Sequence, residues 1–84
     1  MYKVKILVTL RKTILDPQGK AVESSLKSLG YDKITDTRIG KYVELLINAD
    51  SRKEAAEIAE NACRKLLANP VMEDYTYEIT KGDN

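Results

Sequence analysis

The chain has 84 residues, of which 43% are hydrophobic and 32% are charged, and its formal net charge is +1. A chain of this length forms one domain and buries only about 60–65% of the surface that its unfolded form exposes, so its stability as a monomer is marginal. The nearly balanced charge argues against a nucleic-acid surface, which normally has a strong basic excess. Self-association would supply the missing buried area.

Segments and residue types that the sequence lacks narrow the range of possible functions. The sequence has no apolar stretch of about 18 residues and no charged-then-apolar signal segment, so we expect a cytoplasmic protein without membrane contact. It has no histidine and a single cysteine, Cys63. Histidine is the usual general base at neutral pH and the commonest metal ligand. We expect Cys63 to be a packed, inert thiol, because reactive thiols need an exposed, electropositive setting.

The first predicted element is a strand over residues 2–10, where apolar and polar residues alternate. Leu7 is the exception, since it lies on the otherwise polar face. The inward-facing residues of this strand are Val4, Ile6, Val8 and Leu10. A loop is expected from Arg11 to Leu15.

The first helix is predicted to begin at Asp16, whose carboxylate can accept unpaired backbone N–H groups of the first turn. Pro17 suits the first helical position, and Gly30 supplies the left-handed residue that ends the helix. Gln18 lies beside the apolar stripe, where its amide either bonds a local backbone group or faces a partner. The stripe itself consists of Val22, Leu26 and Leu29.

A β-hairpin is predicted next, with strands over 33–39 and 42–48 joined by Gly40 and Lys41. In the second of these strands Leu46 breaks the polar face. The inward-facing residues are Val43, Leu45 and Ile47.

A second helix is predicted to open with a capping box of Ser51 and Glu54 and to stop at Asn69 and Pro70. Its expected core stripe is Ala55, Ala59, Ala62 and Leu66, with Ile58 and Cys63 at the edges. The last strand is predicted over 75–80, and residues 81–84 are expected to be a frayed tail.

This order of elements predicts a single α+β domain over residues 1–80 with a ferredoxin-like βαββαβ fold. In that fold a four-stranded antiparallel sheet carries both helices on one face. The other face must then meet water or a partner, and three apolar or aromatic side chains there favour a partner. We therefore predict dimerisation through the sheet, with the interface at Leu7, Tyr42 and Leu46.

Near the end of the chain, one acidic pair and one apolar pair of adjacent residues each have more than one interpretation. Glu73 and Asp74 are adjacent carboxylates in an extended segment, so they point apart and are solvated or contact a partner instead of binding a metal. Val71 and Met72 belong to the core or to an interface, and methionine adapts well to contact surfaces.

Five ordered segments also carry a resemblance to a known family: Val8–Lys12, Ile14–Val22, Leu29–Tyr31, Arg38–Lys41 and Leu66–Tyr75. Through them residues 2–79 resemble the PurS family, the small subunits of phosphoribosylformylglycinamidine synthase. Thr13 stands where that family often has a small residue such as glycine, and Met72 where isoleucine is common.

The resemblance implies a subunit without its own active site. In that ligase complex, formylglycinamide ribonucleotide, ATP and glutamine give formylglycinamidine ribonucleotide, ADP, phosphate and glutamate, a step of purine biosynthesis. The synthetase subunit PurL would hold ATP and magnesium, and the glutaminase subunit PurQ would release ammonia. This chain would be a homodimeric adaptor, with no catalytic residue, cofactor or metal, that joins the two and assists ammonia transfer. Pairing of dimers into tetramers stays open.

The resemblance also suggests where partner subunits dock, namely at three loop segments that match the family. The residues proposed for partner contact are Arg11, Asp16, Gln18, Gly19, Arg38, Gly40, Lys41, Asn69, Pro70, Glu73 and Tyr75. For Asp16, Gly40 and Pro70, the alternative to partner contact is a purely structural role.

Two other classes of protein are alternatives. A dimeric regulatory module that binds a small ligand would need a glycine-rich turn after the first strand, where Arg11, Lys12 and Thr13 stand. A small acylphosphatase-like enzyme could use Arg11 and Asn48, but the chain lacks the glycine loop that cradles phosphate.

Overall fold

The computed structural model describes residues 1–82 and contains three β-strands and two α-helices in that part of the chain. In chain order the elements are β1 (Tyr2–Leu10), α1 (Pro17–Ser28), β2 (Lys41–Ile47), α2 (Arg52–Ala62), a π-helix (Cys63–Leu67) and β3 (Glu73–Lys81). The strands form one sheet in the order β2-β1-β3, and both pairs are antiparallel. The α+β class is confirmed.

The core lies between the centre of the sheet and α2. Val4, Ile6 and Val8 are buried because β1 is the central strand and its alternation turns them all to one face. From α2 and the π-helix, Ala55, Ala59 and Cys63 are fully buried against them. The small alanine side chains let the helix approach the sheet closely.

The predicted strand over 33–39 is wrong, because this segment has no regular secondary structure and the sheet of the described residues has three strands. Ile34 and Ile39 are its only large apolar residues, and five positions apart they would lie on opposite faces of a strand. A strand over 33–39 would therefore have no apolar face to bury against the core. Gly40 and Lys41 do not form a hairpin turn either, since Lys41 is the first residue of β2.

The predicted ends of α1 are confirmed. The backbone N–H of Gly19 donates to Oδ1 of Asp16 at 2.9 Å, which makes Asp16 the N-cap, and Pro17 follows it. Gly30 has φ of 98°, in the left-handed region that ends a helix.

The predicted position of α1 on the sheet is wrong, because α1 lies outside the two-layer body. The chain measures 50 × 29 × 14 Å, with a radius of gyration of 16.3 Å, whereas a compact chain of this length has about 12 Å. A nine-residue strand is about 30 Å long and a twelve-residue helix about 18 Å. The longest dimension therefore corresponds to the sheet and α1 placed one after the other.

The start of α2 is confirmed, and its predicted core stripe is wrong towards its end, where Ala62 is only partly buried and Cys63, predicted at the edge, is fully buried. The N–H of Glu54 donates to Oγ of Ser51 at 3.1 Å. Leu66, predicted to be in the core, is 81% exposed, while Leu67 packs partly against the core. The π-helix explains the change, because its i→i+5 bonds fit more residues into a turn and shift the inward position by one.

The last strand is longer than predicted at both ends. It begins at Glu73 and runs to Lys81, the first residue of the expected frayed tail. The N–H of Gly82 donates to the carbonyl of Met1 at 2.9 Å. The rest of that expected tail, residues 83–84, lies outside the described residues.

Candidate functional site

Three irregular segments meet at one end of the sheet, beyond the last residues of β1. They are the loop 11–16, the segment 37–41 and the turn 68–73, which we together call the loop end. The N–H of Arg11 donates to the carbonyl of Met72 at 2.9 Å, and the N–H of Ile39 donates to Oδ2 of Asp16 at 2.7 Å. These two bonds join all three segments. The loop end contains most of the positions that the sequence proposed for partner contact.

Arg38 fastens the first loop from outside. Its Nη2 donates to the carbonyls of Arg11 at 2.9 Å and Ile14 at 3.0 Å, with a weaker bond to Leu10 at 3.4 Å. A planar guanidinium can serve several acceptors at once. Arg38 therefore fixes the direction in which the chain leaves β1 and enters α1.

Asp16 does more than cap the helix. The residue is only 4% exposed, and its two carboxylate oxygens accept from the N–H groups of Ile39 and Gly19. The bond from Ile39, followed by that from Gly19, lowers the pKa of the Asp16 carboxyl. One carboxylate thus joins α1 to the segment that leads into β2.

The lowered pKa predicts a specific acid sensitivity. Because the folded pKa of Asp16 lies below its ordinary value of 3.8, its charged form stabilises the fold above that value. The contribution is lost as the pH falls through the folded pKa. We expect the unfolding free energies of the wild type and Asp16→Asn, from urea titrations, to differ most at neutral pH and to converge in acid. A difference independent of pH would contradict the assignment.

Two glycines, one in the first turn of α1 and one in the loop end, allow backbone segments to approach each other closely. A Cβ at Gly19 would overlap the carbonyl oxygen of Thr37, and one at Gly40 would lie 2.8 Å from the carbonyl oxygen of Val8. Both obstacles are backbone atoms, which cannot rotate away. Glycine is therefore required at these positions for packing.

The turn 68–73 is tied to the other segments by Arg11. Nη2 of Arg11 donates to the carbonyl of Pro70 at 2.7 Å, and Nε lies 3.4 Å from Oδ1 of Asp74. Nearby, Nζ of Lys41 donates to the carbonyl of Leu67 at 3.2 Å. These contacts hold the end of the π-helix beside the starts of β2 and β3.

Within this turn Asn69 and Glu73 have local roles. Oδ1 of Asn69 accepts from the N–H groups of Val71 at 2.9 Å and Met72 at 3.2 Å. The N–H of Asn69 donates to Oε1 of Glu73 at 2.7 Å. The two exposed residues Val71 and Met72 are consequently presented on a fixed turn instead of entering the core.

Most of the proposed contact residues therefore build the loop end themselves. An open pocket of about 300 Å³ remains between them, and the exposed Gln18 lies at its rim. The residues that line this pocket are Val8, Leu10, Asp16, Gln18, Ile39, Gly40, Lys41 and Glu73.

Tyr75 lies apart from the loop end, in a cluster that sequence reasoning missed. The hydroxyls of Tyr75 and Tyr77 both donate to the carboxylate of Glu60 on α2, the latter at 3.0 Å. These bonds lower the pKa of Glu60 and raise that of Tyr75 to about 12. Alternation places both tyrosines on one face of β3, but nothing in the sequence pairs them with Glu60. The cluster fastens α2 to β3.

Cys63 shows no feature of a reactive thiol. It is fully buried, and burial, together with the nearby charge of Glu60, raises the pKa of its thiol. This environment fits the predicted packing role. Over residues 1–82 no group of three or more acidic or cysteine side chains is arranged to hold a metal ion. No helix within the same residues is long and apolar enough to cross a membrane.

The second candidate surface is the outer face of the sheet, opposite α2. Leu7, Tyr42 and Leu46 lie there as predicted and are 53%, 55% and 56% exposed. Lys5 stands between Glu44 and Glu78 on the neighbouring strands. The face thus carries apolar and alternately charged side chains and is uncovered in the chain itself.

Together, the sheet, the loop end and the uncovered apolar surfaces define a small α+β protein of the kind that forms part of an assembly. Comparison with known proteins identifies the family to which it belongs. The family described as "PurS: Phosphoribosylformylglycinamidine (FGAM) synthase" matches residues 3–81. The chain belongs to this PurS family.

Individual relatives agree along the whole chain. It is 49% identical over 79 residues to the phosphoribosylformylglycinamidine synthase subunit PurS of Bacillus subtilis, covering 94% of this chain and 93% of that one. The structure of PurS from Methanocaldococcus jannaschii, described as a subunit of formylglycinamide ribonucleotide amidotransferase in the purine biosynthetic pathway, matches with a TM-score of 0.89 and 30% identity, covering 99% and 100%. A chain of the PurLQS structure from Thermotoga maritima matches with a TM-score of 0.87 and 33% identity, covering 94% and 96%.

Proposed function

We propose that this chain is the PurS subunit of a phosphoribosylformylglycinamidine synthase, the ligase complex in which glutamine supplies nitrogen in purine biosynthesis. The observation that carries the proposal is family membership over residues 3–81, together with the likeness to a chain of the PurLQS assembly. The partners would be a synthetase subunit, PurL, and a glutaminase subunit, PurQ, in the cytoplasm. ATP and magnesium would be bound by the synthetase, and no cofactor by this chain.

The role of the chain in such a complex would be structural. Ammonia released in bulk water at neutral pH becomes protonated and loses its nucleophilicity, so its transfer requires tight subunit contacts that exclude water. An adaptor for this purpose needs rigid docking surfaces more than reactive groups. The loop end supports this role, because internal hydrogen bonds that Arg11 and Arg38 donate and Asp16 accepts hold its shape before any partner binds.

We further propose that copies of the chain pair through the outer face of the sheet, at Leu7, Tyr42 and Leu46. Along the strands of this face Lys3 and Lys5 are matched by Glu44 and Glu78, and Asp74 at its end pairs with Arg11. A two-fold contact can place each lysine near a carboxylate of the other copy while the apolar residues meet.

Reconstitution with the cognate synthetase and glutaminase tests the adaptor role. We expect omission of this chain to reduce glutamine-driven formation of formylglycinamidine ribonucleotide by more than about tenfold, because ammonia is no longer delivered in position. Activity with added ammonium chloride serves as the control and should be unchanged, since it bypasses the transfer. Equal glutamine-driven turnover with and without the chain would refute the adaptor role.

A further inference from the structure

The hydrogen bonds between β1 and β3 show which backbone groups of β3 point out of the sheet. The N–H of Arg11 donates to the carbonyl of Met72, and the N–H of Gly82 donates to the carbonyl of Met1. Both bonds continue the register of the antiparallel pair. Because bonding residues alternate along such a pair, the even-numbered residues of β3 face β1 and the odd-numbered residues face outwards.

The two ends of this outer edge are closed by bonds from within the chain. The N–H of Glu73 donates to the carbonyl of Asn69 at 2.8 Å. Nη1 of Arg52, at the start of α2, donates to the carbonyl of Ile79, also at 2.8 Å. Both bonds reach odd-numbered residues of β3, in agreement with their outward direction.

The middle of the edge is left open. The N–H and carbonyl groups of Tyr75 and Tyr77 and the N–H of Ile79 have no bonding partner within residues 1–82. We call these groups the open edge. Proteins commonly protect an exposed edge with a proline, a bulge or a covering segment, and the stretch from Tyr75 to Ile79 has none of these. Such an edge is a template for another strand.

A cleft of about 520 Å³ runs beside the open edge, between α2 and β3. Its charged residues follow one side of α2, with Lys53 and Arg64 at the two ends and Glu57 and Glu60 between them. The carboxylate of Glu60 accepts from the hydroxyls of two tyrosines of β3. Glu57 is exposed and has no ion-pair partner within residues 1–82. The middle of the cleft therefore favours a positive charge.

The spacing of the cleft and the open edge is fixed before anything binds. Glu60 ties the middle of α2 to Tyr75 and Tyr77, and Arg52 ties the start of α2 to Ile79. A surface that is ordered in advance loses less conformational entropy on binding. The open edge is also continuous with the loop end, because β3 begins at Glu73.

We propose that the open edge binds an extended segment of a partner subunit, which adds to the sheet beside β3 and places a lysine or arginine in the cleft. The inference deepens the proposed adaptor role and rests on it. Side chains directly opposite each other in paired strands lie on the same face. The residue opposite Tyr77 is therefore turned towards α2, where the carboxylate of Glu57 can pair with a basic side chain.

A second copy of the chain fits this edge less well than a partner subunit. Two β3 edges paired about Tyr77 would place one Tyr77 opposite the other, and Glu57 would gain no basic partner. Continuity with the loop end further favours a partner subunit, since one protein can then contact both surfaces.

Methylation of one backbone nitrogen tests the open edge. Ligation at the native Cys63 joins residues 1–62 to a synthetic segment 63–84 in which the nitrogen of Tyr77 carries a methyl group. The change removes an outward donor and keeps every side chain. We expect the chain concentration for half-maximal glutamine-driven turnover, with the cognate synthetase and glutaminase, to rise about tenfold or more. The control carries the methyl group at Lys81, beyond the bond to Ile79, and should match the unmethylated chain.

Charge reversal tests the cleft independently. Glu57→Lys should raise the same half-maximal concentration about fivefold or more, because like charges across a contact repel each other. Asp32→Lys makes the same change in the turn after α1 and should leave the concentration unchanged. Both positions are exposed, so circular dichroism should show that both variants fold.

Two results would overturn the proposal. If the chain methylated at Tyr77 is folded and supports turnover at an unchanged concentration, no partner strand adds to β3. If it only lowers the molar mass in light scattering, the edge joins copies instead. Should the methylated chain not fold, an unchanged concentration for Glu57→Lys overturns the proposal. These failures leave the wild-type chain necessary for glutamine-driven turnover, whereas failure of the adaptor role would make it dispensable.

Discussion

Replacing Gly19 with alanine is expected to destabilise the protein by roughly 1–3 kcal/mol, the usual cost of inserting atoms into a packed site. The new Cβ would overlap the carbonyl oxygen of Thr37 and lie 3.0 Å from Oδ2 of Asp16. Neither neighbour can move freely, because Asp16 accepts from Ile39. Relief of the overlap would separate α1 from the segment that leads into β2.

The sign of this effect is informative because helix propensity predicts the opposite. Alanine inside a helix is about 1 kcal/mol more favourable than glycine, so a variant limited by propensity would gain stability. Urea unfolding of Gly19→Ala and the neighbouring Lys20→Ala separates the two effects. Lys20 is exposed, and its variant should remain within about 0.5 kcal/mol of the wild type. A gain in stability for Gly19→Ala would mean that the contact with Thr37 is absent.

A charge on the outer face is expected to separate copies without unfolding them. In Leu46→Asp, the new carboxylate would lose water in an apolar contact between copies, with only Lys3 of the neighbouring strand opposite it, and the burial of a charge costs several kcal/mol. That cost corresponds to a loss of more than about 100-fold in affinity. Light scattering after size-exclusion chromatography should show half the molar mass of the wild type at micromolar concentration.

The matched control is Asn61→Asp, which adds the same charge at an exposed position of α2. It should leave the molar mass unchanged. Because Leu46 is 56% exposed in the single chain, thermal unfolding of Leu46→Asp monitored by circular dichroism should still be cooperative. An unchanged molar mass for Leu46→Asp would exclude the outer face as a contact between copies.

The features that could be predicted from the sequence are those set by neighbouring residues. The alternation in β1 identifies its buried face, Asp16 and Pro17 fix the start of α1, and Gly30 fixes its end. Ser51 begins α2 for the same reason. In each case, hydrogen bonding or steric fit within a few residues decides the outcome.

The features that could not be predicted depend on contacts between distant segments. The sequence around Ile34 does not reveal that the chain runs beside α1 instead of pairing with β2. Leu66 fits a regular helical stripe, and only the π-helix turns it outward. From the sequence, Glu60 is an ordinary surface position of α2. Only the packing of β3 beside α2 brings the hydroxyls of Tyr75 and Tyr77 to its carboxylate. Family resemblance indicates the candidate docking segments, but their internal hydrogen bonds join residues 23 to 59 positions apart, which no local pattern in the sequence pairs.

The cluster of Glu60, Tyr75 and Tyr77 also gives the protein an optical reporter. The chain has five tyrosines and no tryptophan, so its near-ultraviolet absorption and fluorescence come mainly from phenol rings. Two of those rings share one carboxylate across the boundary between α2 and β3. Changes in how the helix lies on the sheet when partners bind can therefore be followed in this chain without an attached dye.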